Sequence, residues 1–145
     1  MRLEQADSIA DATLARGHEF GAAPLTVAVL DAGGHVVVLK RDDGAGNLRG
    51  EIAVAKACAA VGMGMNSRVL AERAEKQPVF FASLAAVAGG RFAPAPGGVL
   101  VRDADGILLG AVGVSGDVSD MDERCAVHAV MDAGLLPDPS AAPEA

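Results

Sequence analysis

The chain has 145 residues, 51% of them apolar, a net charge of −7 and a sequence pI near 4.8. That length fits one domain with room for a sizeable core, and the acidic balance excludes nucleic acid and anionic membrane as general partners because both would repel it. Trp and Tyr are absent and only four Phe are present, so the core must be aliphatic, built mostly from Ala, Val and Leu.

Leu3, Ala6, Ile9, Ala10, Thr13 and Leu14 recur at helix spacing, and Gly17 is the expected stop, with His18 just beyond it. The acids in this first stretch stand where a signal peptide needs an apolar region, which points to a cytoplasmic protein. Pro24–Asp31 is short, β-branched and apolar. Asp31-Ala32-Gly33-Gly34 is turn chemistry and His35–Lys40 a return strand, so the pair predicts an antiparallel hairpin. A polar glycine loop, Arg41–Asn47, leads to an Ala-rich helix over Leu48–Val61. Its expected inner face is Leu48, Ile52, Ala55, Ala59 and Gly62, and Gly62-Met63-Gly64 ends it. Asn66 or Ser67 can cap a short helix over Arg68–Glu75, and Pro78 opens another that stops at Gly89-Gly90. Pro78–Gly90 is the longest weakly charged run and is too short to span a bilayer.

Phe92–Gly98 reads as loop. Val99–Val101 and Ile107–Val114 then flank Ala104-Asp105-Gly106, an Asp-Gly hairpin signal that predicts a type I′ turn. The second strand runs into Gly113-Val114-Ser115-Gly116-Asp117 and then a helix from about Asp120 to Ala133. Ser119 with Asp122, or Asp120 with Glu123, offers a capping-box start, and Gly134 is the stop. Residues 1–136 thus form one α+β domain, an antiparallel sheet with helices packed on it. Residues 137–145 form a proline-punctuated tail expected to be loose.

A strand that ends in a glycine loop and feeds a helix N-terminus is a frequent ligand site. Here the amides of Ser115, Gly116 and Asp117 either face a ligand or, as the alternative, the glycines Gly110, Gly113 and Gly116 let a helix approach the sheet closely. The pattern is neither a dinucleotide G-x-G-x-x-G nor a P-loop, and it lacks the last glycine of a nucleophile elbow. Asp117, Asp120, Asp122 and Glu123 cluster at the start of the last helix, where acids are favourable for the helix dipole. One of them, Asp122 or Glu123, is also a candidate acid/base. Lys56 in the Ala-rich helix must snorkel or meet an acid. Arg91, after a double glycine, can hold a carboxylate as a bidentate donor, and both can equally serve salt bridges, as can Arg41. His18, His35 and His128 share no metal-ligand spacing, and His128 can pair with Asp132 one helical turn on. Cys58 and Cys125 read as reduced core thiols, and Met63 and Met65 as gap fillers.

Four stretches together carry a family likeness. They are Val29-Leu30-Asp31-Ala32-Gly33-Gly34, Ile52–Ala60 with Lys56, Gly89-Gly90-Arg91 followed by Gly97-Gly98, and Gly110–Gly116 with the later Asp122-Glu123. In this order they resemble the GlcG/HbpS-like, or haem-binding, domain family from about Leu25 to Ala133. The resemblance implies a profilin-like sheet of four or five antiparallel strands and homo-oligomers, often built from dimers and reaching octamers. It also implies haem or a related tetrapyrrole as a possible ligand. The expected pocket lies at the glycine loop and last helix, near a subunit boundary, with Arg91, Gly113, Ser115, Gly116, Asp117 and His128 binding the ligand. The alternative is an enzyme acting on a small oxygenated metabolite in the same pocket. There Asp122 or Glu123 moves a proton, and Lys56 or Arg91 holds a carboxylate or enolate. A third reading is an accessory subunit. No metal site is expected.

Overall fold

Both predicted hairpins form, and they close in the same way. β1 (Thr26–Asp31) and β2 (Val36–Arg41) are joined through Asp31, whose Oδ1 accepts from the amides of Gly33 at 3.0 Å and His35 at 2.9 Å. β3 (Gly98–Arg102) and β4 (Leu108–Ser115) are joined through Asp103, whose Oδ1 accepts from Asp105 at 2.9 Å and Ile107 at 3.0 Å. Gly34 and Gly106 are left-handed, with φ of 85° and 80°, and no other residue type among the described residues has positive φ. The Asp105-Gly106 turn is therefore not type I′. It is a type I turn closed by a left-handed glycine, the loop that an aspartate capturing two downstream amides favours.

The computed structural model describes residues 1–139. They build a five-stranded antiparallel sheet in the order β2-β1-β4-β3-β5, where β5 is Leu136–Pro137. The two central strands, β1 and β4, are covered on both faces, so they read as almost continuous apolar runs. Val27, Val29, Val112 and Val114 point to one side and meet α1 (Leu3–Phe20) and α5 (Ser119–Asp132) through Ala6, Ile9, Ala10, Cys125, Ala126, Ala129 and Val130. Ala28, Leu30, Leu100 and Ala111 point the other way onto Ala53, Ala57 and Ala60 of α2 (Arg49–Met63). Each fully buried Val or Leu of these layers is worth about 1.5–3 kcal/mol of transfer free energy. The side facing α2 is made of small residues because the helix lies close. α3 (Ser67–Lys76) and α4 (Pro78–Val87) form a third, smaller cluster, in which Leu70 and Phe81 pack on Ala59.

Several sequence-based boundaries move. α1 passes through Gly17 and ends at Gly21, which has φ 70°, so His18 lies inside the helix. Gly17 serves space rather than termination, since a Cβ there would come within 2.7 Å of the Leu25 side chain. The inner face of α2 is Ala53, Lys56, Ala57 and Ala60; Leu48 and Gly62, expected inside, are exposed. Asn66 sits at the N-cap of α3 but caps nothing: its side chain accepts from the Leu100 amide at 2.8 Å and donates to the Asp138 carbonyl at 3.0 Å. No capping box opens α5, whose cap position is Val118. Pro137 and Asp138, assigned to the loose tail, are bound instead. Pro137 pairs with Val101, the Asp138 amide donates to the Leu100 carbonyl, and its carboxylate holds Arg102 at 2.6 Å. The rest of that tail, residues 140–145, lies outside the described residues. No helix among the described residues is long and apolar enough to cross a membrane.

Candidate functional site

The junction of β4 and α5 is a closed polar frame. Lys56 projects from the inner face of α2 to the end of β4, where Nζ donates to the Val114 carbonyl at 2.9 Å and to Asp122 Oδ2 at 3.0 Å. Their side chains are only 3% and 1% exposed, so this is a buried ion pair. Burial pushes the Lys56 ammonium down and the Asp122 carboxyl up, and each partner's charge works against that. Asp122 Oδ1 accepts from the Asp117 amide at 2.9 Å. The Asp117 carboxylate accepts in turn from the amides of Ala23 and Val118, both at 2.7 Å, which holds it below the usual carboxylate range. Ser115 stays in the sheet opposite Thr26, and its hydroxyl accepts from Arg49 at 3.1 Å. Glu123 is fully buried and accepts from Arg68 Nε at 2.8 Å. The same guanidinium reaches Asp120. Glu123 Oε2 has no partner among the described residues.

The structure therefore unites Lys56, Asp122, Asp117 and Ser115, with Glu123 beside them, but engages their polar side-chain atoms with one another, with neighbouring amides, or with Arg49 and Arg68. Gly113 follows the close-approach alternative, lying against α2, while Gly116 is packed against the segment that precedes β1. A Cβ on Gly113 would lie 1.9 Å from the Ala53 carbonyl, and one on Gly116 2.3 Å from the Pro24 carbonyl. The amide of Asp117, expected to face a ligand, is taken by Asp122. His128 sits apart, its ring edge-on to Phe20 at 5.4 Å, while Asp132 pairs with Arg16 rather than with His128. His18 and His35 are exposed and bonded to Asp42 and Asp31. Among the described residues no three His, Cys, Asp or Glu side chains cluster as metal ligands.

Arg91 lies elsewhere, on the outer face of α2. There a cavity of about 400 Å³ is walled by Val61, Met63, Leu84, Val87 and Phe92, with Cys58 in its lining and the first hairpin turn at its edge. This is within the usual size of small-molecule pockets. Burial pushes the Cys58 thiol up and the charge of Arg91 pulls it back. Cys125 is buried under the sheet and is pushed up to about 11, chiefly by burial. Neither cysteine forms a disulfide. Sequence reading missed Arg49, which donates to the Ser115 hydroxyl from 66 residues away, and Arg68, which pairs with Glu123 from 55 residues away. It also missed the pocket wall. The spacing of Val54, Cys58 and Val61 at one helical face was the available signal.

A family model described as haem degrading protein HbpS-like matches residues 1–131. The chain belongs to the HbpS-like family. This HbpS-like chain is 30% identical to a crystal structure of HbpS, covering 90% of this chain and 86% of that one with a TM-score of 0.76. A double mutant of Streptomyces reticuli HbpS gives 29% identity over 90% and 85%, with a TM-score of 0.78. A structure named as a PduOC:heme complex shares the fold at 24% identity, covering 93% and 96% with a TM-score of 0.83. No curated protein matches the HbpS-like chain by sequence.

Proposed function

We propose that this HbpS-like protein binds haem or a related tetrapyrrole in the groove on the outer face of α2. The observation that carries the reading is the pocket of Arg91. Its walls, Val61, Leu84, Val87 and Phe92, suit an apolar macrocycle. It presents a thiol and a thioether, Cys58 and Met63, both of types that ligate haem iron, and a guanidinium stands at its rim. The family description and the heme named with the related PduOC structure support the same ligand. When bound, haem would supply a redox-active iron. The protein's part is to shield the ring with Phe92 and Leu84 and to offer sulfur at Cys58 or Met63. The Lys56–Asp122 pair is assigned to the frame rather than to proton transfer, because both side chains are closed from solvent. The free thiols fit a reducing, cytoplasmic compartment.

Haemin titration tests this. The expected result is a saturable Soret band whose position shifts in Cys58→Ala or in Met63→Leu and is unchanged in His18→Ala, His35→Ala and His128→Ala. A weak, non-saturating absorbance change that is indifferent to every substitution would overturn the reading.

The protein is further proposed to be a homo-oligomer that associates through α4, beside the groove. This helix carries no charged residue, and Val79, Phe80 and Val87 are 84%, 51% and 83% exposed. Phe80→Asp with Val79→Asp is expected to lower the mass measured by light scattering while leaving the circular dichroism spectrum intact. An unchanged mass would remove α4 from the interface.

A further inference from the structure

The groove continues past Arg91. A second cavity, of about 560 Å³, lies on the other side of that residue, lined by Leu39, Arg41, Asn47, Gly50, Glu51, Val54 and the Gly89-Gly90 turn along with Arg91 itself. Its floor is the same stripe of α2: Gly50 and Val54 lie under this chamber, and Cys58 and Val61 under the first. The two chambers differ in chemistry. The first holds Arg91 as its one charged side chain, while the second adds Arg41, Asn47 and Glu51.

In a chain of net charge −7, the second chamber collects two guanidiniums against one carboxylate. Arg41 is already oriented, because Nη2 donates to the Ala45 carbonyl at 3.0 Å and leaves its remaining donors available. Among the described residues the Arg91 guanidinium makes no hydrogen bond or ion pair, its amide alone donating to the Ala88 carbonyl, and the residue borders both chambers. An arginine without a carboxylate partner, lining the same cavity as a second arginine, is suited to planar oxyanions.

We infer that the groove is polarised, with Arg41 and Arg91 holding the carboxylates of the ligand in the second chamber while its apolar body lies in the first. The ligand class is an amphipathic ring system that carries its carboxylates on one edge. Asn47 adds a neutral donor, and Glu51 is the chamber's one carboxylate, outnumbered by the two guanidiniums. The inference rests on the tetrapyrrole reading above and adds the direction in which the ligand lies, with Arg41 as a binding residue.

The test compares haemin with haemin dimethyl ester, which keeps the ring and iron and loses both carboxylate charges. The wild-type protein is expected to bind haemin at least about tenfold tighter than the ester, because the ester cannot accept charge-assisted hydrogen bonds from the two guanidiniums. Arg41→Gln is expected to shrink that ratio, and Arg41→Gln with Arg91→Gln to bring it near one, mainly by weakening haemin. Both side chains are exposed, so the fold is preserved, as unchanged thermal midpoints would verify. Equal binding of the two ligands by the wild-type protein, or a ratio indifferent to Arg41, overturns the polarised groove and leaves haem binding standing. Failure to bind either ligand overturns both.

Discussion

Lys56→Ala is expected to destabilise the protein by about 3–5 kcal/mol, because it leaves a buried carboxylate without its counter-charge. Asp122 is 1% exposed and cannot turn to water, and the Val114 carbonyl loses its donor in the same step. For a domain of this size the loss corresponds to a fall of about 10 °C or more in the thermal midpoint. Urea denaturation followed by circular dichroism measures it. Lys56→Met combined with Asp122→Asn is expected to recover much of the loss, since no charge is then stranded and the amide oxygen can still accept from Asp117. A Lys56→Ala protein within about 1 kcal/mol of wild type would mean that the pair contributes little and that water reaches Asp122.

Gly113→Ala is expected to cost about 3 kcal/mol or more, at or beyond the upper end of ordinary overpacking. The added Cβ would stand 1.9 Å from the Ala53 carbonyl and 3.0 Å from the Ala57 Cβ. β4 is held by strands on both sides, and α2 is held by the Lys56 bond to its end, so neither element can retreat cheaply. Gly62→Ala is the matched control. Gly62 lies in α2, is exposed, and a Cβ added there would meet nothing within 4 Å. The change is expected to stabilise by about 0.5–1 kcal/mol through the lower entropy of the unfolded chain. Denaturation midpoints moving oppositely in the two variants would establish that Gly113 is required for helix-to-sheet contact. Equal effects would remove that explanation.

These two residues also mark how far the candidate site could be read in advance. That Lys56 must either snorkel or find an acid followed from its place in an Ala-rich helix, and the acid is one of the four clustered at the start of α5. Which acid it meets depends on the register of β4 over α2, a long-range matter. Asp122 is chosen, while Glu123, one residue on, turns to Arg68. Arg91 was grouped in advance with the glycine loop, whereas its side chain borders the cavity beside the first hairpin turn. The glycine loop that suggested a cradle proved to be packed against backbone.

The sequence by itself determined the element types and their order as far as α5, the two antiparallel hairpins, the aliphatic core and the family. All of these rest on local periodicity, on turn chemistry within five residues, or on short motifs in a fixed order. Tertiary structure alone decided which face of α2 is buried, that Pro137 joins the sheet, and that the acidic junction is sealed while the groove opens on the opposite side of α2. Those outcomes depend on contacts between residues tens of positions apart. In an Ala-rich helix nearly every face is small and apolar, so only the fit against β1 and β4 selects the one that packs and leaves the other to line the groove.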